Sequence, residues 1–170
     1  MTSRKALIPA GHFTSKRVGE LAELRFMYRA AGHGIGVAKP YGDSFPYDFL
    51  TQHGKRLLRV QVKSCFSGER DGTNGFNITV ARSRGHGKIQ YEVGDLDIIA
   101  AYVAECDAWY LVPMESVGQK KSIRLYPAEK KYRKGSGLYE QYREAWKLLM
   151  DQECMKNPIL RVSRKGQHAE

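Results

Sequence analysis

The chain is poor in cysteine and in long apolar runs, and each shortage excludes a class of protein. Its three cysteines, Cys65, Cys106 and Cys154, are widely spaced and include no CxxC pair. An odd, scattered set predicts free thiols and argues against a disulfide framework or a structural zinc site. No stretch approaches the roughly 20 apolar residues of a membrane span, and the first residues lack the apolar core of a signal peptide. We therefore expect an intracellular, cytoplasmic protein with no membrane partner.

Acidic residues are also scarce relative to basic ones. The 170 residues include 28 Lys and Arg against 18 Asp and Glu, a formal charge of +10. Residues 1–85 contain 14 basic and 6 acidic residues, a net of +8, whereas residues 86–170 contain 14 and 12, a net of +2. Such an excess favours a polyanionic partner, most commonly nucleic acid. The length and the 42% hydrophobic content suit one domain with its own core.

The apolar pattern predicts a helix, a series of strands and a second helix. Residues 15–31 repeat apolar side chains at helical spacing, with Ser15 as the N-cap, and residues 138–150 carry a second helical stripe. Strands are predicted near residues 35–38, 47–50, 56–65, 76–81, 96–103, 108–114 and 122–126. This order predicts an α/β or α+β fold with a central mixed β-sheet flanked by helices. We place the domain at residues 15–153, after a lead-in over 1–14 and before a basic tail over 154–170.

Three polar side chains are expected to meet on one face of a predicted strand. Alternation along residues 56–65 puts Val60 and Val62 on an apolar face and Gln61 and Lys63 on the other. A turn between this strand and the preceding one would bring Asp48 beside them. Without that pairing, Asp48 would only cap a turn and Lys63 would lie at a solvated strand end.

A carboxylate, an amide oxygen and an ammonium together suit the hydrolysis of a phosphodiester. The carboxylate holds a hard cation such as Mg²⁺, which polarises the phosphate and lowers the pKa of a bound water. The lysine orients or deprotonates that water, or neutralises charge on the phosphate in the transition state. Glu20 and Glu23, three residues apart on the predicted first helix, offer a further carboxylate.

Five segments carry a resemblance to a known family. They are residues 16–20 (KRVGE), 46–48 (PYD), 60–63 (VQVK), 91–97 (YEVGDLD) and 109–113 (WYLVP). Together they resemble the PD-(D/E)XK nuclease superfamily. Within it, the chain is similar to the group I intron-encoded homing endonucleases, in which glutamine commonly replaces the second acid.

The resemblance implies a restriction-endonuclease-like core and a set of catalytic residues: Glu20, Asp48, Gln61 and Lys63. Of these, Asp48, Gln61 and Glu20 would bind Mg²⁺, for which Mn²⁺ would substitute. Glu20 is preferred to Glu23 because it follows Gly19, as the motif requires. The chain departs from the motif in two places: Tyr47 stands where the proline before the acid is expected, with the proline one place earlier, and Gln61 supplies an oxygen but no charge, which should weaken metal binding. One-metal, two-metal and inactive sites all stay open.

Two basic segments, residues 82–88 and 130–134, suit contacts with DNA phosphates. The candidate DNA-binding residues are Arg82, Arg84, His86, Lys88, Lys131 and Arg133. We expect a Mg²⁺-dependent endonuclease that cuts double-stranded DNA at specific sites, as a homing endonuclease does. Because one such site cuts one strand, a homodimer or homotetramer is expected. The alternatives are a Holliday-junction resolvase or repair nuclease of the same superfamily, and a non-catalytic DNA-binding module.

Overall fold

The computed structural model describes residues 14–42, 44–65, 75–84, 87–92, 94–127 and 137–152. In chain order the helices and strands are α1 (Ser15–Gly32), β1 (Gly36–Ala38), β2 (Phe49–His53), β3 (Arg56–Cys65), β4 (Phe76–Thr79), β5 (Arg82–Arg84), β6 (Gly87–Ile89), β7 (Ile98–Val103), β8 (Ala108–Pro113), α2 (Met114–Val117) and β9 (Ser122–Leu125). Except for Thr14, the predicted lead-in and the predicted tail lie outside the described residues.

A five-stranded sheet with the order β1-β2-β3-β7-β8 forms the centre of the fold. Strands β3 and β7 are parallel, and the other neighbours are antiparallel. This confirms the expected mixed sheet. The β2–β3 hairpin turns at Gly54, whose φ of 62° is a left-handed conformation that glycine adopts without strain. The predicted bounds of β3 are confirmed, whereas β2 begins two residues later and continues through Gln52 and His53 because these pair with Leu57 and Arg56.

Helix α1 covers one face of this sheet. Its buried residues Ala22, Phe26 and Ala30 are spaced by four and therefore lie on one side of the helix. The Phe26 ring lies 5.5 Å from the ring of Phe49 and 5.7 Å from that of Trp109, so the helix packs directly on β2 and β8. Among the described residues, no helix is long and apolar enough to cross a membrane.

The two-stranded β4–β9 sheet covers the opposite face. Its buried residues Ile78, Ile123 and Leu125 pack against the side of β7 that faces away from α1. All six residues of β7 are therefore buried, as the nearly continuous apolar run of residues 96–103 predicts.

The start of α1 differs by one residue from the expectation. Thr14, not Ser15, is the N-cap: its backbone is extended and its hydroxyl accepts a hydrogen bond of 3.3 Å from the Arg17 amide. Ser15 is the first helical residue.

The predicted closing helix over residues 138–150 is wrong. The segment forms two 3₁₀ turns instead: Glu140–Tyr142 and Trp146–Leu149. Between them Glu144 has a φ of 49°, and its carboxylate accepts hydrogen bonds of 2.8 Å from the Trp109 amide and from the Trp146 indole. These contacts with β8 replace the helical hydrogen-bond ladder. Trp146 of the predicted stripe is buried, but Leu138 is 58% exposed.

The described part of the basic segment over residues 82–88 forms regular secondary structure. Strands β5 and β6 form an antiparallel ribbon, in which Arg82 pairs with Ile89 and Ser83 with Lys88. Gly85 and His86, between the two strands, lie outside the described residues.

Candidate active site

Asp48 lies immediately before β2, on the face of the sheet that is turned away from α1. Its amide donates a hydrogen bond of 2.9 Å to the Val60 carbonyl, so the strand pairing extends to this residue. Phe49 is buried under α1, and successive side chains of an extended chain alternate between faces. The side chain of Asp48 is therefore directed to the opposite face.

Strand β3 brings Gln61 and Lys63 to that same face, because Val60 and Val62 are buried against α1. The Gln61 amide nitrogen donates a hydrogen bond of 2.5 Å to Asp48 Oδ2. The Val62 backbone amide donates a second one, of 2.7 Å, to the same oxygen. The predicted convergence of Asp48 with Gln61 is thus present, with the amide nitrogen facing the carboxylate.

The charge of Asp48 is incompletely compensated. Burial raises the pKa of the Asp48 carboxyl above its usual value; the Val62 amide lowers it, Glu23 raises it again, and Lys63 and Gln61 lower it. Burial prevails. The pKa of Lys63 is lowered, because burial disfavours its ammonium more than Asp48 favours it. Burial therefore makes the charged form of each group less favourable, and a bound charge of the right sign would relieve that cost.

The two helix glutamates have different surroundings. Glu20 forms an ion pair with Arg17 at 3.1 Å, and both side chains are about half exposed (42% and 54%). Glu23 is only 22% exposed, pairs with Lys39 at 2.7 Å, and is the glutamate whose charge acts on Asp48. The motif spacing favours Glu20, whereas the geometry favours Glu23. Their spacing of three residues makes them neighbours on the surface of α1, and the packing of the helix on the sheet determines which one approaches Asp48.

Tyr91 is a residue of this site to which the sequence assigns no role. The Lys63 Nζ lies 6.0 Å from the centroid of the Tyr91 ring. Tyr91 is 8% exposed, and burial together with the charge of Asp48 raises its pKa well above the usual range. The only signal in the sequence is its place at the start of the 91–97 segment.

The site offers oxygen donors for a divalent cation. Within the described residues, Asp48 Oδ1 and Gln61 Oε1 accept no hydrogen bond, since both donors to Asp48 reach Oδ2. In the same part of the chain, no three His, Cys, Asp or Glu side chains are grouped as a metal site. One carboxylate, one amide oxygen and water, with Glu23 nearby, form a donor set that fits a hard cation bound through oxygen.

Further along the same face of β3, a second carboxylate is fully engaged. Asp97 accepts hydrogen bonds from the Arg59 amide at 2.7 Å and from its guanidinium at 2.9 and 3.1 Å. Arg59 also donates to the Gly94 carbonyl. Burial alone would raise the pKa of Asp97, but the side-chain and backbone hydrogen bonds from Arg59 lower it below its usual value. Asp97 thus anchors the start of β7 to β3.

The predicted DNA-binding residues are described only in part. Arg82 lies 3.9 Å from Asp95, and its Nε is buried without a hydrogen-bond partner among the described residues. Lys88 is exposed and donates a hydrogen bond of 3.2 Å to the Thr79 hydroxyl. The remaining candidates lie outside what the structure describes at side-chain level: Arg84, His86, Lys131 and Arg133.

Comparisons with known protein families and solved structures identify the family of this chain. The family model described as PD-(D/E)XK endonuclease matches residues 13–149. The structure is similar to that of the bacterial homing endonuclease I-Ssp6803I, with a TM-score of 0.70 and 29% sequence identity over 92% of this chain and 100% of that chain. It also matches the Holliday junction resolvase Hjc of the archaeal hyperthermophile Archaeoglobus fulgidus, with a TM-score of 0.45 and 14% identity over 73% and 88% of the two chains. No curated protein sequence matches. A restriction-endonuclease-like sheet and a match over most of its length show that this chain belongs to the PD-(D/E)XK endonuclease family.

Proposed function

We propose that this protein is a metal-dependent endonuclease that hydrolyses phosphodiester bonds in double-stranded DNA, with the site-specific cleavage of the homing type. One observation carries the proposal. Asp48 is a partly buried carboxylate with a raised pKa, one hydrogen-bonded oxygen, and a lysine and an amide beside it. The negative charge of such a carboxylate lowers the stability of the fold unless a bound cation compensates it.

In this proposal Asp48 and Gln61 hold the cation through the two oxygens that accept no hydrogen bond from the described residues. When bound, a divalent ion polarises the scissile phosphate and lowers the pKa of an attacking water. Glu23 takes the role of the α1 carboxylate of the motif, and its negative charge acts on Asp48. Mg²⁺ fits the oxygen donors, and Mn²⁺ would substitute for it.

Lys63 supplies the positive charge of the site. Its ammonium stabilises the negative charge that grows on the phosphate oxygens as the water attacks. Burial lowers its pKa and so also brings the neutral amine, which can accept a proton from that water, within easier reach. Either role requires the amine to lie beside the phosphate, so removal of Lys63 should abolish cleavage.

Basic residues around the site would hold the DNA backbone. The β5–β6 ribbon places Arg82 and Lys88 next to the segment that carries Tyr91. A two-stranded ribbon has the width of the major groove, and cationic side chains on it would contact phosphates on either side. Affinity for DNA should therefore fall steeply as the salt concentration rises.

Cleavage of both strands requires two copies of the site. Each chain has one Asp48–Lys63 cluster, so a homodimer or homotetramer with two-fold symmetry would present one site to each strand. The similarity to the homing endonuclease I-Ssp6803I, over 92% of this chain, favours site-specific cutting as the task of this assembly.

The test is a cleavage assay with three substrates: linear duplex, four-way junction and single-stranded DNA. Each is incubated with Mg²⁺, with Mn²⁺ or with EDTA. We expect duplex cleavage with either metal, none with EDTA, and none by the Lys63→Met variant. Lys55→Met, which removes an exposed lysine from the β2–β3 turn, serves as the matched control and should cut normally.

Preferential cutting of the junction would replace the homing type with a resolvase. Tight DNA binding without cleavage under either metal would contradict the proposed activity and favour a non-catalytic binding module. Calorimetric titration with Mn²⁺ supplies a second readout, in which Asp48→Asn should abolish metal binding whether or not the DNA is cut.

A further inference from the structure

The Lys63 ammonium has little to hold it in place. Within the described residues it donates no hydrogen bond and forms no ion pair shorter than 4 Å, although Asp48 acts on it electrostatically. A lysine side chain has four rotatable bonds and much conformational freedom to lose. A displacement of about 1 Å at a reacting group is enough to slow a reaction about 100-fold. Something must therefore restrict where Lys63 points.

The ring of Tyr91 is the group that borders it. The distance of 6.0 Å from Nζ to the ring centroid is at the outer limit of a cation–π contact. Tyr91 is 8% exposed, so the ring is fixed by packing against its own core layer. Its hydroxyl donates no hydrogen bond to any described residue. The ring face, and not the hydroxyl, is what Tyr91 offers to Lys63.

Two sets of hydrogen bonds hold the segment around Tyr91 in place. Asp95 accepts a hydrogen bond of 2.8 Å from the Glu92 amide, and its own amide donates one of 3.1 Å back to the Glu92 carbonyl. Arg59 of β3 binds both Gly94 and Asp97. Since Arg59 and Lys63 belong to the same strand, this clamp fixes the height of the Tyr91 ring relative to Lys63.

We propose that Tyr91 is a positioning residue for Lys63, whose ring face keeps the ammonium directed into the active site. This inference rests on the proposed function, because it assigns Tyr91 a part in the same reaction. It predicts that the aromatic ring is needed and that the hydroxyl is not.

The experiment compares Tyr91→Phe with Tyr91→Leu. Single-turnover cleavage of duplex DNA should stay within about twofold of the original rate for the phenylalanine variant and fall between about 3- and 30-fold for the leucine variant. The DNA concentration at half-saturation should not change in either variant, since Tyr91 acts on the cleavage step and not on DNA binding. If the leucine variant fails to fold, Tyr91→Met fills the same space without a ring.

A second readout does not depend on cleavage. The ring current of Tyr91 should shift the side-chain resonances of Lys63, assigned through Lys63→Arg, and this shift should persist in Tyr91→Phe and vanish in Tyr91→Leu. Tyr139→Leu is the matched control: Tyr139 is 5% exposed, lies in the same core layer and has the Lys120 Nζ 5.4 Å from its ring. It should leave the Lys63 resonances unchanged.

Three results would overturn the inference: an unchanged Lys63 shift in Tyr91→Leu, unchanged cleavage by that variant, or equal damage in the phenylalanine and leucine variants. An original chain that cuts no DNA with Mg²⁺ or Mn²⁺ would instead overturn the proposed function. The resonances of Lys63 would then still show whether the Tyr91 ring borders its side chain.

Discussion

One face of β3 holds two pairs of a carboxylate and a cation, and they differ in how fully the carboxylate is used. Asp97 accepts three hydrogen bonds from Arg59, and the pKa of Asp97 is lowered. Asp48 receives two on a single oxygen, has Lys63 nearby without a short contact, and its pKa is raised. The fold thus stabilises the charge of Asp97 and penalises the charge of Asp48. The two carboxylates differ in the number and position of their hydrogen-bond donors. This difference distinguishes a carboxylate that stabilises the fold from one that is available to bind a ligand.

The largest effects are expected when each carboxylate is replaced in turn by the neutral asparagine. Asp48→Asn should lower cleavage at least about 100-fold, because it removes the charged metal ligand. Its amide oxygen can still accept from Gln61 and Val62, and the cost of the buried charge disappears, so the free energy of unfolding should not fall. Asp97→Asn should do the reverse: cleavage per folded molecule falls far less than in Asp48→Asn, because the change only loosens the segment that holds Tyr91, and stability falls by about 1 kcal/mol, a value reduced by solvent screening because both partners are about one-third exposed.

The measurements are single-turnover cleavage and urea unfolding of the same four preparations: the original chain, the two single variants and the double variant. Because Asp48 and Asp97 share no partner, the two stability effects should add. A loss of stability in Asp48→Asn as large as that in Asp97→Asn would show that the two carboxylates do not differ.

The next effect concerns the helix carboxylate. Glu23→Gln should raise the Mg²⁺ concentration at half-maximal cleavage about 10-fold, because it removes the negative charge that acts on Asp48. Glu20→Gln, on the same helix and one turn away, should stay within about twofold, since Glu20 is engaged with exposed Arg17. The same titration followed by the binding of Mn²⁺ separates metal affinity from rate. A larger effect of Glu20→Gln would restore the motif-based choice.

Gln61→Glu adds a second negative charge beside Asp48 and so increases the difference between the Asp48 and Asp97 sites. The amide nitrogen that donates to Asp48 Oδ2 at 2.5 Å would be replaced by a carboxylate oxygen. Like charges at that distance raise the pKa of the pair and should lower stability without metal by about 1–2 kcal/mol. A bound cation relieves this repulsion, so the increase in Tm on addition of Mg²⁺ should exceed that of the original chain. An equal increase in both would mean that Gln61 does not lie at the metal.

The parts that follow from the sequence are those set by local pattern. Residues 56–65 alternate between apolar and polar side chains and are bounded by a glycine turn, and β3 has these bounds. The same alternation brings Gln61 and Lys63 to one face, and the hairpin then brings Asp48 to them. Each of these steps depends on neighbours within about 15 residues along the chain.

The parts that do not follow depend on contacts between distant segments. The stripe over residues 138–150 has helical spacing, yet Glu144 bonds to Trp109 and the helix does not form. The choice between Glu20 and Glu23 depends on how α1 lies on the sheet. Tyr91 lies in the segment that leads into β7. This segment comes close to Lys63 because β7 runs parallel to β3 and because Asp97, at its end, is bonded to Arg59 of β3.

The smallest expected effect, and the one most specific to the comparison, is the opposite dependence of the two carboxylates on pH. The lowered pKa of Asp97 means that its contribution to stability is fully present above the unfolded pKa of about 3.9 and is lost as the pH falls through the lower folded value. The raised pKa of Asp48 means that its cost to stability is present above the folded pKa and disappears as the pH falls through it. Urea unfolding between pH 7 and pH 3 measures both against the asparagine variants. The advantage of the original chain over Asp97→Asn, about 1 kcal/mol at pH 7, should shrink from about pH 5 downwards, whereas its deficit against Asp48→Asn should close over the higher part of that range. Two curves of the same sign would mean that the fold treats both carboxylates alike, and that the spare oxygen of Asp48 is not kept for a cation.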